Sequence, residues 1–220
     1  MLELILTEDG SHTLYNPELH EHYHSTHGAV QEGQHVFIAA GFAQRNLTQT
    51  SIRILEVGFG TGLNALLTLA EARKSGISVQ YHALEPFPLP SGVISTLNYP
   101  ELSGLPAYRS DFERFHSQEE GMIALGNGFN LFRYKQGVHD FIADGLFDLV
   151  YFDAFAPDVQ PEMWTEAVFQ KIASCMKAGG ILVTYCAKGQ VKRNMKAAGL
   201  VIERLPGPPG KREMTRGKRI

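Results

Sequence analysis

The chain has 220 residues, 20 Lys and Arg against 23 Asp and Glu, and a formal net charge of -3. That length can bury a sizeable core in one large domain, and a hydrophobic fraction of 44% is ordinary for a globular protein. No apolar run approaches the length of a membrane span, the acidic opening MLELILTEDG does not read as a signal peptide, and Cys175 and Cys186 can build neither a disulfide framework nor a metal-ligand spacing. A cytoplasmic protein with reduced cysteines and no membrane partner is therefore expected. Charge is unevenly spread: residues 188–220 hold ten Lys or Arg against two Glu, and residues 1–187 hold ten against twenty-one acids. This asymmetry leaves room for a polyanionic partner at the basic end.

Residues 1–50 are polar and irregular and read as an N-terminal extension, with a short hairpin around Asp9-Gly10 and a helix through 28–43. The extension carries six of the nine histidines. The spacing of His20, His22, His24 and His27 is too loose for a metal site, and the segment is read instead as a surface or a cleft lining. From residue 52 strands and helices alternate. IRILEV at 52–57 is a buried strand followed by a helix over 62–75, and VQYHAL at 79–84 is the second strand. Pro90 opens a helical region, and 100–128 is less regular, with an extended helix and a loop. FNLFRY at 129–134 is the third strand, 138–144 a short helix, FDLVYF at 147–152 the fourth strand and 162–177 a helix. GGILVTYC supplies the fifth strand and 189–198 another helix. LVIERL and a strand around 213–216 close the sheet as an antiparallel pair. Nearly continuous apolar strands between helices predict an α/β fold, a mostly parallel seven-stranded sheet covered on both faces.

The densest local signal is ILEVGFGTGLN, residues 54–64. Gly58, Gly60 and Gly62 follow a strand and open a helix, where backbone N–H groups can approach a ligand closely. A dinucleotide fingerprint would need glycine at position 63, which is Leu63. No Gly-Lys-Ser/Thr follows, so a triphosphate loop is excluded. The pattern Glu-x-Gly-x-Gly-x-Gly from Glu56 resembles the motif of S-adenosyl-L-methionine-dependent methyltransferases. Glu56, Gly58, Phe59, Gly60, Thr61, Gly62 and Asn64 are accordingly the candidate cofactor residues. Glu85, at the end of the second strand, is placed to accept hydrogen bonds from both ribose hydroxyls. Where that class often has an Asp near the adenine amino group, this chain has Val138; Asp140 is a candidate substitute, and Val138 can alternatively line the adenine pocket.

The second dense signal is VYFDAFAPDVQPEMW, 150–164. Asp153 ends the fourth strand, in the crevice toward which a sulfonium methyl would point. A methyl sulfonium is already an activated electrophile, whereas an alkylammonium has no lone pair. Asp153 is therefore the candidate to orient an amine and take its proton, with no metal required. Phe155 and Pro157, in the stiff loop that follows, are candidates for gripping a planar substrate.

EVGFGTGLN, EPFPL at 85–89, FDAFAPDVQPEMW and PGKREMTRG at 209–217, in this order, resemble the methyltransferase domain of the bacterial bifunctional enzymes that modify the tRNA wobble uridine, and still more its stand-alone homologues. The resemblance extends over essentially the whole chain. It implies a Rossmann-like class I S-adenosyl-L-methionine-dependent methyltransferase domain at 51–220, with the 1–50 extension packing near the active-site crevice. It also implies methylation of the primary amine of 5-aminomethyl-2-thiouridine in the tRNA anticodon region, giving 5-methylaminomethyl-2-thiouridine. The family's glycine loop matches Glu56 through Asn64, its ribose-binding Glu matches Glu85, and its active-site Asp matches Asp153. The fused FAD-dependent oxidase domain of the bifunctional enzymes has no counterpart in this sequence, so methyl transfer alone is expected, on a precursor made by separate enzymes.

In one departure, Val159, preceded by Asp158, stands where the bifunctional proteins commonly have a Lys. tRNA is the expected partner and DNA is not; the oligomeric state is left open. Lys211 and Arg212, adjacent in the PGPPGKREM turn, are expected to bind tRNA phosphate. The alternatives are a methyltransferase of a small-molecule or protein amine, an aminopropyl transferase, and a non-catalytic RNA-binding module. Each explains less of the combined Glu56, Glu85 and Asp153 pattern and the basic end.

Overall fold

The computed structural model describes residues 2–46, 48–102 and 106–220. The N-terminal segment forms a three-stranded antiparallel sheet of β1 (Glu3–Leu6), β2 (His12–Asn16) and β3 (Glu21–His22). Its first turn is the one expected at Asp9-Gly10: Thr7 N–H donates to Ser11 O at 2.8 Å, and Gly10 adopts φ 82°. The helix expected over 28–43 is three shorter pieces: α1 (Ala29–Gly33), a π-helical stretch (Gln34–Ala39) and a 3-10 turn (Phe42–Gln44).

The main sheet begins with β4 (Ser51–Val57), followed by α2 (Leu63–Ser75) and β5 (Ser78–Leu84). Next come α3 (Ser91–Ile94), α4 (Tyr99–Leu102), a 3-10 turn (Pro106–Tyr108) and α5 (Arg109–Phe115). Part of the irregular segment expected over 100–128, residues 103–105, lies outside the described residues. The remaining elements are β6 (Gly121–Ala124), β7 (Phe129–Tyr134), β8 (Phe147–Phe152), a 3-10 turn (Pro161–Trp164), α6 (Glu166–Ser174), β9 (Met176–Thr184), α7 (Gly189–Ala197), β10 (Leu200–Pro206) and β11 (Glu213–Arg219).

The strand order is β10-β11-β9-β8-β4-β5-β7-β6. β9, β8, β4, β5 and β7 run parallel, while β6, β10 and β11 join antiparallel at the edges. The sheet thus has eight strands, one more than expected. The extra strand is β6, paired to β7 through a turn in which Gly126, Asn127 and Gly128 all adopt positive φ. Gly-Asn-Gly is a strong hairpin signal, and it lies in the stretch read as irregular.

Two further elements differ from the expected ones. Residues 138–144 form no helix: a turn spans 138–140, and Val138 and Phe141 are buried against the sheet, Phe141 with its ring 5.2 Å from that of Tyr134. Apolar residues three apart imitate a helical face but here plug a loop. The helix read over 162–177 is split by Thr165, which caps α6 by accepting from Val168 N–H at 3.3 Å, and its last residues belong to β9.

Apolar side chains cover both faces of the sheet. One core gathers Phe37, Leu66, Tyr81, Phe112 and Tyr151, together with Leu14 from the small sheet; the other gathers Val57, Phe147, Phe152, Trp164 and Phe169. Cys175 and Cys186 are free thiols. No helix among the described residues is long and apolar enough to cross a membrane.

Candidate active site

Chain order reverses at β4: it proceeds to β5 and β7 on one side and to β8 and β9 on the other. An open α/β sheet leaves a crevice at such a switch point, beyond the carboxyl ends of its strands. Here that crevice is a cleft of about 710 Å³, with the loops after β4, β5 and β8 as its floor and residues of the 16–26 segment on its wall.

The floor is built from the glycine loop. Gly58 and Phe59 N–H groups both donate to Leu84 O at 3.1 Å, which ties the loop to the end of β5. Gly58 has φ 88°, and a Cβ there would lie 2.4 Å from Asp153 O. Only glycine lets the loop press against the end of β8 in this way. Gly60 N–H donates to Glu85 Oε2 at 2.8 Å, and Phe87 N–H to Oε1 at 2.9 Å. Each oxygen keeps acceptor capacity for a ligand hydroxyl. Burial raises the Glu85 pKa; the two backbone bonds and the nearby Arg133 guanidinium oppose the shift.

Asp153 leaves β8 with its N–H donating to Val57 O at 2.9 Å, and its carboxylate accepts from Asn64 Nδ2 at 2.8 Å. Burial pushes its pKa up to about 7; the Glu32 carboxylate adds to the rise, while the Asn64 bond and the Lys211 ammonium oppose it. The loop beyond is strapped in place. Trp164 Nε1 donates to Phe155 O at 2.8 Å, and the Tyr185 hydroxyl donates to Ala154 O at 2.9 Å. The Phe155 ring meets Tyr23 edge to face, with centroids 5.0 Å apart.

Of the residues expected at the site, Gly58, Phe59, Gly60, Thr61, Glu85, Asp153, Phe155 and Lys211 line the cleft. Glu56, Gly62 and Asn64 lie beneath it instead. Glu56 is fully buried, accepts from Asn64 Nδ2 at 2.9 Å and has its pKa driven well up by burial. Gly62 caps α2 in a left-handed conformation. Asp140 is exposed and is not a lining residue, whereas the buried Val138 lines the cleft; of the two readings for the adenine side, the geometry favours the apolar one. Pro157 and Arg212 border a shallow neighbouring depression rather than the cleft.

Lys211 is not free for phosphate: its ammonium lies 2.5 Å from Glu32 Oε1. Much of the basic end is similarly engaged. Lys188 pairs with Asp158, Lys192 with Glu213 at 3.0 Å and Arg216 with Glu203 at 2.6 Å. Arg219 caps the carbonyls of Ala173 and Met176.

The extension, read as a surface or a cleft lining, lines the cleft through Tyr23, His24 and Glu32, none of them singled out as a site residue, and the sequence reading also missed Tyr185. His24 Nε2 lies 2.7 Å from Thr61 Oγ1, and burial lowers the His24 pKa to about 4. Arg133 was missed as well. Buried within the sheet, it donates to Phe115 O and Gln118 O, both at 3.0 Å, with its guanidinium 4.6 Å from the Phe59 ring centroid. No linear motif marks these residues, because their partners are distant in sequence. The histidines of the extension have separate partners: His27 faces Glu8 at 2.9 Å and His24 faces Thr61. Among the described residues no group of three or more His, Cys, Asp or Glu is placed to hold a metal ion.

A glycine loop, a doubly bonded strand-end glutamate and a strand-end aspartate around one cleft fit a nucleoside-bearing methyl donor. Residues 135–220 match the model of a family described as S-adenosyl-L-methionine-dependent methyltransferase. That part of the chain is thus similar to S-adenosyl-L-methionine-dependent methyltransferases.

More particularly, the chain is similar to proteins named tRNA 5-methylaminomethyl-2-thiouridine biosynthesis bifunctional protein MnmC. It is 32% identical to the one from Leptospira borgpetersenii serovar Hardjo-bovis (strain JB197), over 89% of this chain and 32% of that protein. It is 30% identical to the one from Azoarcus sp. (strain BH72), over 98% of this chain and 35% of that protein. The chain thus spans about one third of the length of the curated relatives it matches. Its fold is that of MnmC2 from Aquifex aeolicus, a solved structure with a TM-score of 0.83 and 24% identity, covering 99% of this chain and 70% of that one.

Proposed function

We propose that this protein methylates the primary amine of 5-aminomethyl-2-thiouridine at the tRNA wobble position, giving 5-methylaminomethyl-2-thiouridine, and that it acts in the cytoplasm. The observation that carries the reading is Asp153, a carboxylate with its pKa pushed up to about 7, in the same cleft as the glycine loop and Glu85. The names of the relatives supply the substrate class.

Gly58, Gly60 and Glu85 would hold the ribose and methionine portions of S-adenosyl-L-methionine, with Val138 on the adenine side. Bound there, the cofactor supplies an electrophilic methyl group. The protein's own task is to present an amine with a free lone pair. An alkylammonium arrives protonated, and Asp153 can accept its proton at neutral pH because the two forms of its carboxyl are then comparably populated. Tyr23, Phe155 and Tyr185 offer flat apolar faces to a heterocycle. An unstacked anticodon base is the part of tRNA that such a pocket can take in.

The test is to incubate the enzyme with methyl-labelled S-adenosyl-L-methionine and tRNA bearing 5-aminomethyl-2-thiouridine, then digest the tRNA and identify the nucleosides. Label is expected in 5-methylaminomethyl-2-thiouridine. Its absence there, with cofactor binding intact, would overturn the proposal.

A further inference from the structure

Lys211 reaches from the turn between β10 and β11 to Glu32 on α1. Its ammonium lies 2.5 Å from Glu32 Oε1 and 4.0 Å from the centroid of the Tyr185 ring. Glu32 Oε2 accepts from Ser25 N–H at 2.9 Å, and only 8% of the Glu32 side chain is exposed. Glu32, Tyr185 and Lys211 line the same cleft as Asp153. The two carboxylates feel each other: Glu32 is the foremost charge raising the Asp153 pKa, and Lys211 opposes it.

Two carboxylates and an aromatic face are the parts of a receptor for a primary alkylammonium. A lysine side chain is itself a primary alkylammonium, and here one occupies the receptor. We propose that Glu32 is a second carboxylate for the substrate's ammonium and that Lys211 is the resident cation which the substrate displaces.

The inference rests on the reading above that the substrate is a primary amine. Without a cation beside them, Glu32 and Asp153 would repel across a poorly solvated cleft. Lys211 neutralises that charge while the receptor is empty. On arrival the substrate ammonium takes the place of Lys211 against Glu32 and Tyr185. One proton then passes from its nitrogen to an Asp153 oxygen, so that ammonium and carboxylate become amine and carboxylic acid. The nitrogen keeps the lone pair that methyl transfer requires, and Glu32 stays charged and holds the amine by its remaining N–H.

A plain structural pin between α1 and the β10–β11 turn would use the same ion pair, so the test reads discrimination rather than affinity. Dissociation constants are measured for two anticodon stem-loops, one carrying 5-aminomethyl-2-thiouridine and one carrying the neutral 5-hydroxymethyl-2-thiouridine, in the presence of S-adenosylhomocysteine. The wild type is expected to prefer the amine. Glu32→Gln is expected to reduce that preference by roughly tenfold or more, the scale of one charge-assisted hydrogen bond. Lys211→Met, which removes the competing cation, is expected to increase it. A preference unchanged from wild type in either variant overturns the proposal. Should Glu32→Gln fail to fold, Lys211→Met decides alone. Failure of the wild type to prefer the amine would overturn the functional reading itself, so the two failures are distinguishable.

Discussion

Asn64 and Asp153 are joined by a 2.8 Å hydrogen bond, the amide nitrogen of Asn64 donating to Asp153 Oδ2 from beneath the cleft. The second hydrogen of that amide goes to Glu56 Oε1 at 2.9 Å. One side chain at the start of α2 therefore spans a buried acid at the end of β4 and the acid that lines the cleft. The glycine-loop motif is thus more than a cofactor cradle: its last member, Asn64, opposes the burial-driven rise in the pKa of the residue after β8.

The first prediction follows from that bond. In the proposed function the working form of Asp153 is the carboxylate, so kcat/KM is expected to rise with pH through about 7 and then level off. Asn64→Leu removes a donor that favours the ionised form, so the inflection should move upward and the rate at pH 7 should fall by roughly tenfold, with recovery toward pH 9. Cofactor affinity should hold. Steady-state kinetics between pH 5.5 and 9 check this, and an inflection that stays in place refutes the coupling.

Glu85 should matter to the cofactor and not to the proton. Its two oxygens already order the loop through Gly60 and Phe87 while facing the cleft. Glu85→Ala is expected to weaken S-adenosylhomocysteine binding by about 10- to 100-fold, the scale of losing charge-assisted hydrogen bonds. Asp153→Asn should leave that affinity within about twofold while abolishing most turnover. Calorimetric titration of both variants separates the two roles, and equal losses of binding would contradict the assignment.

His24 makes the wall of the cleft sensitive to acid. Its folded pKa is about 4 against an ordinary 6.5, so between those values the unfolded chain binds a proton that the folded chain refuses. Stability from this group is complete above about 6.5 and is lost as pH falls toward 4. His82, at about 4, and His116, at about 3, act in the same direction, while Asp153, raised to about 7, acts in the opposite one. A single substitution isolates one group. His24→Gln should make Tm fall less steeply than in the wild type between pH 6.5 and 4. Parallel Tm curves would show that His24 does not titrate with unfolding.

Among the basic residues of the C-terminal segment, Arg212 is exposed beside the cleft, whereas Lys192 is mostly buried and paired to Glu213. Arg212→Ala is expected to weaken tRNA binding and to reduce the salt dependence, the slope of log K against log salt, by about one. Lys192→Ala should leave that slope unchanged. Binding titrations at several salt concentrations give both numbers, and an unchanged slope for Arg212→Ala removes it from the RNA-facing edge.

How much of this was legible beforehand depends on whether the determining interactions are local. The strands 129–134 and 147–152, the glycine loop, and the positions of Glu85 and Asp153 at strand ends could be read from the sequence, because apolar continuity and glycine spacing act over a few neighbouring residues. The β6–β7 hairpin carried its own local signal, Gly126-Asn127-Gly128, and was overlooked. The apparent helix at 138–144 misled because Val138 and Phe141 are spaced for a helix but buried as plugs. What no local pattern contained was the pairing of residues far apart in the chain: Glu32 with Lys211, Tyr23 with Phe155, His24 with Thr61. Nor could composition reveal that Lys188, Lys192, Lys211 and Arg216 are paired with carboxylates. The sequence by itself determined the fold class and the cofactor chemistry, since those rest on short-range backbone and burial preferences. Only the tertiary structure decided which charges line the cleft, because a side chain's charge has consequences only through the groups that folding brings within a few ångströms of it.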